Sequence, residues 1–503
     1  MNAPVGDGLD HKHWMIPVLV VLIGVFMSIL SSSIVNVAIA SIMAVFNTDT
    51  DGVQWVSIAY MLAMAMVIPL SGWLGDKFGL KRLYLASMAA FTIGSVFCAS
   101  AWNIESLIVA RIIQALGGGM MSPLVMAMIY RLVPKEQIGS GMGIMGMSLL
   151  VAPAVGPTLG GWLVEYVNWR WIFLLNVPIG AVGLILGWFL IPSFKREPVG
   201  KLDIPGAVTA ALGFSGLLYG LSKGNSWGWT SEATILTFVG SVGVLVLFVL
   251  IELWSPEPLL DVTVFAYPSF TFANILVGIT TIGMFSALFY IPLFLQSIRG
   301  LGAMQTGLIM FPAAILSAVV MPLSGKLYDR LGPKIPVVIG LLIMSLMTWM
   351  FSEITLDTSI ATITWWLVWR GLGMALCMMP AQTAALSDLP VRLISRASSV
   401  TNLIRNVASS FGIAIMTLLI TQRGSFHRAR MSDALCSDNT AYTSWMGGNP
   451  AVGGALMSGH IAKQSYVFAL QDVFILTSAL ILLALVPAVF LRKRTTLPGP
   501  STL

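Results

Sequence analysis

Charge is scarce in this chain. Asp, Glu, Lys and Arg make up only 10% of its 503 residues, where a soluble domain carries about a quarter. That scarcity excludes a water-facing surface. With 57% hydrophobic residues and a mean hydropathy of +0.88, the chain is an integral membrane protein. Cysteine is equally rare. Cys98 and Cys377 fall in apolar stretches and Cys436 stands alone, so no disulfide framework is expected. The four histidines, His11, His13, His427 and His460, fall in tails or between apolar stretches. Neither His-Glu-x-x-His nor Gly-x-x-x-x-Gly-Lys-[Ser/Thr] occurs, so no metal site, cofactor or enzymatic centre is expected. Without a nucleotide-binding loop the chain cannot itself use ATP. An ion gradient or the gradient of a substrate must drive any work it does.

What is abundant is long apolar sequence. Stretches of roughly 20 residues, the length that crosses a bilayer, recur near 15–42, 53–73, 82–101, 105–130, 139–164, 171–192, 203–222, 232–254, 268–296, 303–326, 335–355, 361–387, 397–421 and 469–491. They predict an all-α membrane protein of about fourteen transmembrane helices, with no room for a soluble domain. The first stretch is too long for a cleavable signal and is expected to be retained. Seventeen of the 27 Lys and Arg residues fall on the side of the predicted spans where the N-terminus lies, and seven on the other. The positive-inside rule then places both termini in the cytoplasm. The net charge of +6 reports this topology, and nucleic acid is not an expected partner.

The chain repeats itself. Gly72-Trp73-Leu74-Gly75-Asp76-Lys77-Phe78-Gly79-Leu80-Lys81 joins the second and third spans, and Gly325-Lys326-Leu327-Tyr328-Asp329-Arg330-Leu331-Gly332-Pro333-Lys334 joins the tenth and eleventh. Arg111-Ile112-Ile113-Gln114 in the fourth span has a partner in Arg370-Gly371-Leu372-Gly373 in the twelfth. These correspondences predict two six-helix halves, 1–192 and 263–503, separated by an inserted helix pair within 193–262. Residues 423–468 form a long loop on the outer side. Parallel repeats of this kind surround a midplane site in transporters. Asp76 and Asp329, near helix ends, with Lys77 and Arg330 beside them, are suited to latch two bundles on the cytoplasmic side. Gly79 and Gly332 permit tight reversals there.

The fifth span carries Ala152-Pro153-Ala154-Val155-Gly156-Pro157-Thr158-Leu159-Gly160-Gly161. Each proline removes a backbone donor and loosens the helix. Gly156 and Gly160 share one face and let a neighbouring helix approach closely. The stretch resembles the helix-5 antiporter motif of major facilitator drug exporters, G-x(3)-G-P-x(2)-G-G, with Ala152 in place of the leading glycine.

The two Asp loops resemble motif A of the same superfamily, and the Arg111 segment resembles its helix-4 motif. Trp169-Arg170-Trp171-Ile172-Phe173, Asn176-Val177-Pro178-Ile179-Gly180, Pro258-Leu259-Leu260-Asp261 with Phe265, and Asn402 with Arg405 extend the likeness to the fourteen-helix drug:proton antiporters. The resemblance implies a multi-pass protein of a bacterial cytoplasmic (inner) membrane, with a small-molecule substrate and protons as its partners besides the lipid bilayer. The long outer segment is similar to that of the branch working with a periplasmic adaptor protein and outer-membrane channel. Arg111 would take part in proton coupling or shape the central cavity.

One departure stands out. Where the family's first helix reads L-D-x-[ST]-[IV]-V-N-V-A, this chain has Leu30-Ser31-Ser32-Ser33-Ile34-Val35-Asn36-Val37-Ala38. Ser31 replaces the carboxylate and cannot titrate near neutral pH. No other Asp or Glu falls in the interior of a predicted span. Asp76, Glu165, Glu252 and Asp388 lie at ends, which leaves three explanations: a boundary carboxylate such as Asp76 or Asp388 carries the proton, coupling is weak or absent, or the sequence is an altered one. Candidate cavity residues are Ser31, Asn36, Gln54, Trp55, Tyr60, Gln114, Arg370 and Arg405. Methionines of the second, fourth and fifth spans read as helix-packing or lipid-facing residues ahead of an adaptable cavity lining. Beside drug efflux, the sequence leaves open a dedicated exporter of one metabolite, anionic given the three Arg residues in the spans, and a non-transporting membrane sensor.

Overall fold

The structure is a computed structural model, and it describes residues 14–194, 200–256, 258–433 and 450–491. Among these residues there is no strand, and fourteen helices are long and apolar enough to cross a membrane. They are α1 (Met15–Phe46), α2 (Gly52–Phe78), α3 (Leu80–Ala99), α4 (Ile104–Leu132), α5 (Lys135–Tyr166), α6 (Trp171–Leu190), α7 (Ile204–Gly224), α8 (Glu232–Trp254), α9 (Pro268–Ile298), α10 (Met304–Leu331), α11 (Lys334–Glu353), α12 (Ile360–Ser387), α13 (Arg392–Asp433) and α14 (Met457–Val489).

Local chemistry sets many of the helix ends. Asp49 caps α2 by accepting from the Gly52 N–H at 2.7 Å. Asn103 and Ser106 form a reciprocal capping box on α4, and Asp203 accepts from Gly206 N–H at the start of α7. Such side chains take up N–H groups that have no partner inside the helix. Gly79 and Gly332 end α2 and α10 with φ of 91° and 80°, a region costly to residues with a Cβ. The two Asp loops therefore reverse on glycine at equivalent places.

Helices α1–α6 pack on one another, as do α9–α14. α7 lies against both α2 and α13, and α8 packs on α7 with most of its surface outward. Two seams join the groups. α5 against α10 is the most extensive helix contact in the molecule, and α13 crosses to α2 and α4.

α5 stays helical through Pro153 and Pro157. Pro157 has no N–H for the Pro153 carbonyl, and the Ser33 hydroxyl of α1 donates to that carbonyl instead at 3.4 Å. Gly156 and Gly160 face α1, where a Cβ would meet Ser33 Oγ at 2.7 Å and Ile34 Cγ1 at 2.5 Å respectively. The glycine face of the antiporter-like motif thus fastens α5 to its own half. The seam with α10 uses glycines that the motif does not contain. Gly139 lies against Gly325, and Gly143 and Gly146 lie against Met321.

The predicted spans and the helices agree except around residues 423–468. There α13 continues to Asp433 and α14 is already helical at Met457, so the outer loop is shorter than expected. The cause is chemical: residues 422–433 are too polar to register as a span, yet they include good helix formers and pack along α14. Cys436 and residues 434–449 lie outside the described residues.

At Gly160 the fit to α1 leaves no space for a methyl group, whereas a Cβ on Gly161 would meet only Val37 Cγ1, at 4.0 Å. Gly160→Ala is expected to cost about 1–3 kcal/mol by overpacking, and Gly161→Ala to leave stability unchanged. Thermal unfolding of the two variants in detergent, side by side, checks the assignment.

Candidate functional site

Polar groups inside the bundle gather in three places. The first is a knot in the N-terminal half. Arg111 of α4 is 1% exposed. Its Nη1 donates to Gln114 Oε1 at 2.5 Å and to Ser31 Oγ at 3.3 Å, and its Nε donates to the Val56 carbonyl at 3.4 Å. The guanidinium lies 3.9 Å from the centroid of the Tyr60 ring, an attraction worth up to about 2 kcal/mol when desolvated. Gln114 passes the network on to Ser95 at 2.7 Å, and the Tyr60 hydroxyl pairs with Ser28 at 3.4 Å. Three of the predicted cavity residues, Ser31, Tyr60 and Gln114, therefore form one cluster around Arg111. The serine that replaces the family's carboxylate is a direct partner of Arg111.

The second place is its counterpart. Arg370 of α12, also buried, donates through Nε to Thr348 Oγ1 at 3.0 Å and through Nη2 to the Gly283 carbonyl. The sequence repeat between Arg111 and Arg370 is thus a structural repeat, each guanidinium held by neutral oxygens inside its own half.

The third place is the seam, at the end of the bundle where the two Asp loops lie. The Asp329 carboxylate on α10 accepts from Gly139 N–H at 2.8 Å, Ser140 N–H at 3.0 Å and the Ser140 hydroxyl at 2.7 Å. It caps the first turn of α5 across the two halves, where N–H groups point outward and the helix dipole favours negative charge. Asp76 is 3% exposed, with Arg131 Nη2 3.8 Å away. Beside it α2 meets α13: Ser71 Oγ lies 2.9 Å from Ser399 Oγ, and a Cβ on Gly72 would come within 3.0 Å of Arg396 Cα. Further in, Ser122 of α4 donates to Asn402 Oδ1 at 2.7 Å and accepts from Arg405 Nη2 at 3.0 Å. The Tyr130 hydroxyl donates to the Thr383 carbonyl at 2.5 Å. Arg405, expected in the cavity, is thus part of the bond between the halves.

Other expectations fare differently. Lys77 stands over the Trp73 ring at 4.3 Å on its own helix. Arg330 follows Asp329 in the last turn of α10. Trp55 packs on Tyr219 of α7, with ring centroids 5.8 Å apart, so it serves the inserted pair. Gln54 is half-buried and Asn36 exposed. Met121, Met126, Met128, Met142 and Met145 are buried in the core. Asp388 is exposed and accepts from the Ser269 hydroxyl. Sequence reasoning also expects no Gly-x-Ser-x-Gly, yet two matches occur, 220–224 and 224–228; both fall at the end of a helix rather than after a strand, so neither is a nucleophile elbow.

Sequence reasoning missed one cluster. His427 is not in a loop but on α13, and Asp472 is well inside α14. The signal was present: Arg423 and His427 are four residues apart on one helical face, and Asp472 is an acid in an apolar stretch.

Two buried Arg knots in paired helical halves, joined by polar contacts at one end, fit the class of membrane transporters built from parallel repeats. The sequence profile of the Major Facilitator Superfamily matches residues 21–413. The chain belongs to that superfamily. It is 37% identical over 428 residues to the uncharacterized MFS-type transporter YhcA of Bacillus subtilis (strain 168), covering 85% of this chain and 80% of the relative. It is 31% identical over 475 residues to a multidrug resistance protein B homolog of Mycobacterium tuberculosis (strain CDC 1551 / Oshkosh), covering 92% and 87%. The crystal structure of the human organic anion transporter MFSD10 shares the fold, with a TM-score of 0.61 at 13% identity, covering 95% of this chain and 99% of that one.

If the Asp329 cap holds this end closed, Asp329→Asn removes a charge-assisted bond to two backbone donors, worth about 1–3 kcal/mol. Spin labels on the seam ends of α5 and α10 are expected to show a longer, broader distance distribution in the variant. Asp388→Asn is expected to leave that distribution unchanged.

Proposed function

We propose that this protein exports hydrophobic drugs or toxic compounds across a bacterial cytoplasmic membrane, in exchange for protons, by alternating access. The observation that carries the reading is the seam. Asp329 on the α5 N-terminus and the Ser122–Asn402–Arg405 bonds close one end of the bundle through polar contacts. Such contacts can exchange for water when that end opens. In this reading the closed end is cytoplasmic, as the Lys and Arg distribution favours, and both termini lie there. Drug efflux rests on the multidrug resistance name of a relative that matches 92% of this chain. A periplasmic adaptor and outer-membrane channel would meet the opposite end, where α13 and α14 extend.

A second reading has its own observation. The hydrogen-bond partners of Arg111, Arg370 and Arg405 given above are all neutral. A buried cation without a carboxylate favours an anion nearby, so an exporter of one anionic metabolite fits the same bundle.

Purified protein in liposomes under an imposed pH gradient, followed with a cationic dye and a lumenal pH probe, separates the readings. Dye movement that dissipates the gradient supports drug:proton exchange, and dye that stays put favours the metabolite exporter. Arg111→Ala is expected to bring transport to background with the yield of folded protein unchanged. Ser31→Asp sets a carboxylate beside Arg111 and is expected to steepen the dependence of dye movement on the gradient.

A further inference from the structure

The proton carrier named by the family motif is absent, and the structure places a titratable cluster elsewhere. At the end of the bundle opposite the seam, Arg423 Nε donates to Asp472 Oδ2 at 2.6 Å, and His427 Nε2 lies 2.8 Å from the same oxygen. Arg423 and His427 project from one face of α13, and Asp472 from the facing side of α14. The rings of Phe426 and Phe468 flank the imidazole, each with its centroid 5.5 Å away. The His427 side chain is 19% exposed, so it is enclosed yet still reached by water.

We propose that His427 and Asp472 form a proton-binding site on the outer face of the C-terminal half, and that protons entering during export load there. The proposal rests on the proton-antiport reading above. With Nε2–H donating to Asp472, Nδ1 is the atom that takes up the proton. The cluster then passes from neutral, with one guanidinium and one carboxylate, to a single positive charge. The proton leaves from the same nitrogen, so no other reactant is involved. Its charge state acts on α13, whose other end carries Ser399, Asn402 and Arg405 to the partner half.

Other ionisable groups surround the site. On α13 they are Arg428, Arg430 and Asp433, and on α14 His460, Lys463 and Tyr466. On α9 they are Arg299 and Tyr290, whose hydroxyl pairs with Thr417 Oγ1 at 2.6 Å. Lys223 lies on α7, and Glu353 and Asp357 lie by the connection that Gln471 touches through the Ile354 carbonyl. Of all these only His460 ordinarily changes charge near neutral pH, as histidines do, and it is exposed.

The test uses full-length protein in two settings. In nanodiscs, the protein labelled with ¹⁵N-histidine has four imidazoles to follow, and the signal lost in His427→Gln identifies His427. In liposomes, ethidium counterflow at equal pH on both sides is compared with ethidium movement driven by a pH gradient. Expected are a His427 imidazole whose signal responds to pH, and a His427→Gln variant that keeps counterflow but loses at least about tenfold of the gradient-driven rate. Asp472→Asn is expected to shift the midpoint of the His427 titration, and Arg423→Gln to keep the response to the gradient.

A His427 signal that does not titrate overturns the proposal. So does a His427→Gln variant with an intact gradient response. A third overturning result is equal loss of both transport modes in His427→Gln and Arg423→Gln, the mark of a mere staple between α13 and α14. Wild-type protein that moves no ethidium in either mode sinks the drug-efflux reading alone, and the titration in nanodiscs then decides the site by itself.

Discussion

Lipid offers no hydrogen bonds, so a backbone N–H or a guanidinium placed among membrane helices must find its partner within the protein. That constraint explains the distribution of polar groups in this chain. The first turn of α5 presents N–H groups at the seam, and Asp329 of α10 accepts from two of them. The same rule applies within α5, where Pro157 strands the Pro153 carbonyl and Ser33 of α1 supplies a proton donor. One bond crosses the halves and the other stays inside one. The first can be traded for water if the seam opens, whereas the second faces a helix packed too tightly to separate.

Three arginines inside the bundle, Arg111 and Arg370 buried and Arg405 half-buried, follow the constraint in different ways. Arg111 and Arg370 are satisfied inside their own halves, by Ser31, Gln114 and the Val56 carbonyl in one case and by Thr348 and the Gly283 carbonyl in the other. Arg405 is satisfied across the seam by Ser122. Neutral oxygens meet the need for hydrogen bonds without cancelling the charge. In the N-terminal half the Arg111 charge therefore stands beside Ser31, the position at which the resembled antiporters carry a carboxylate. Any substrate or ion entering the bundle meets that field, which favours anions and penalises cations unless a proton-bearing group shifts the balance.

Much of the fold was legible because hydropathy over a span averages many residues, and each of the fourteen helices was found from its apolar run. Repeats were legible too, since the Asp loops must reverse on glycine and the Arg pairs occupy matching helices. What escaped notice was whatever depends on who faces whom. Gly139, Gly143 and Gly146 form the seam with α10, yet nothing in their spacing says which neighbour they meet. Trp55 reads equally well as a cavity wall and as the α7 contact it proves to be. His427 was assigned to a loop because the helix outruns the apolar segment that revealed it.

The length of α13 has a mechanical meaning. At 42 residues it extends roughly 60 Å, about twice the hydrocarbon thickness. Of the five helices that carry the two main seams, α2 contains Pro69, α4 Pro123, α5 Pro153 and Pro157, and α10 Pro312 and Pro322, while α13 has no proline. Proline interrupts the hydrogen-bond ladder, so a displacement at one end of α2, α4, α5 or α10 can be taken up by bending at that point. α13 has no proline hinge, and it is held at both ends, by Ser71 and Ser122 of the other half and by Asp472 of α14. A change in the bonding of Asp472 reaches the seam as a movement of the whole helix to the extent that Gly412 and the Gly424-Ser425 pair do not absorb it by bending.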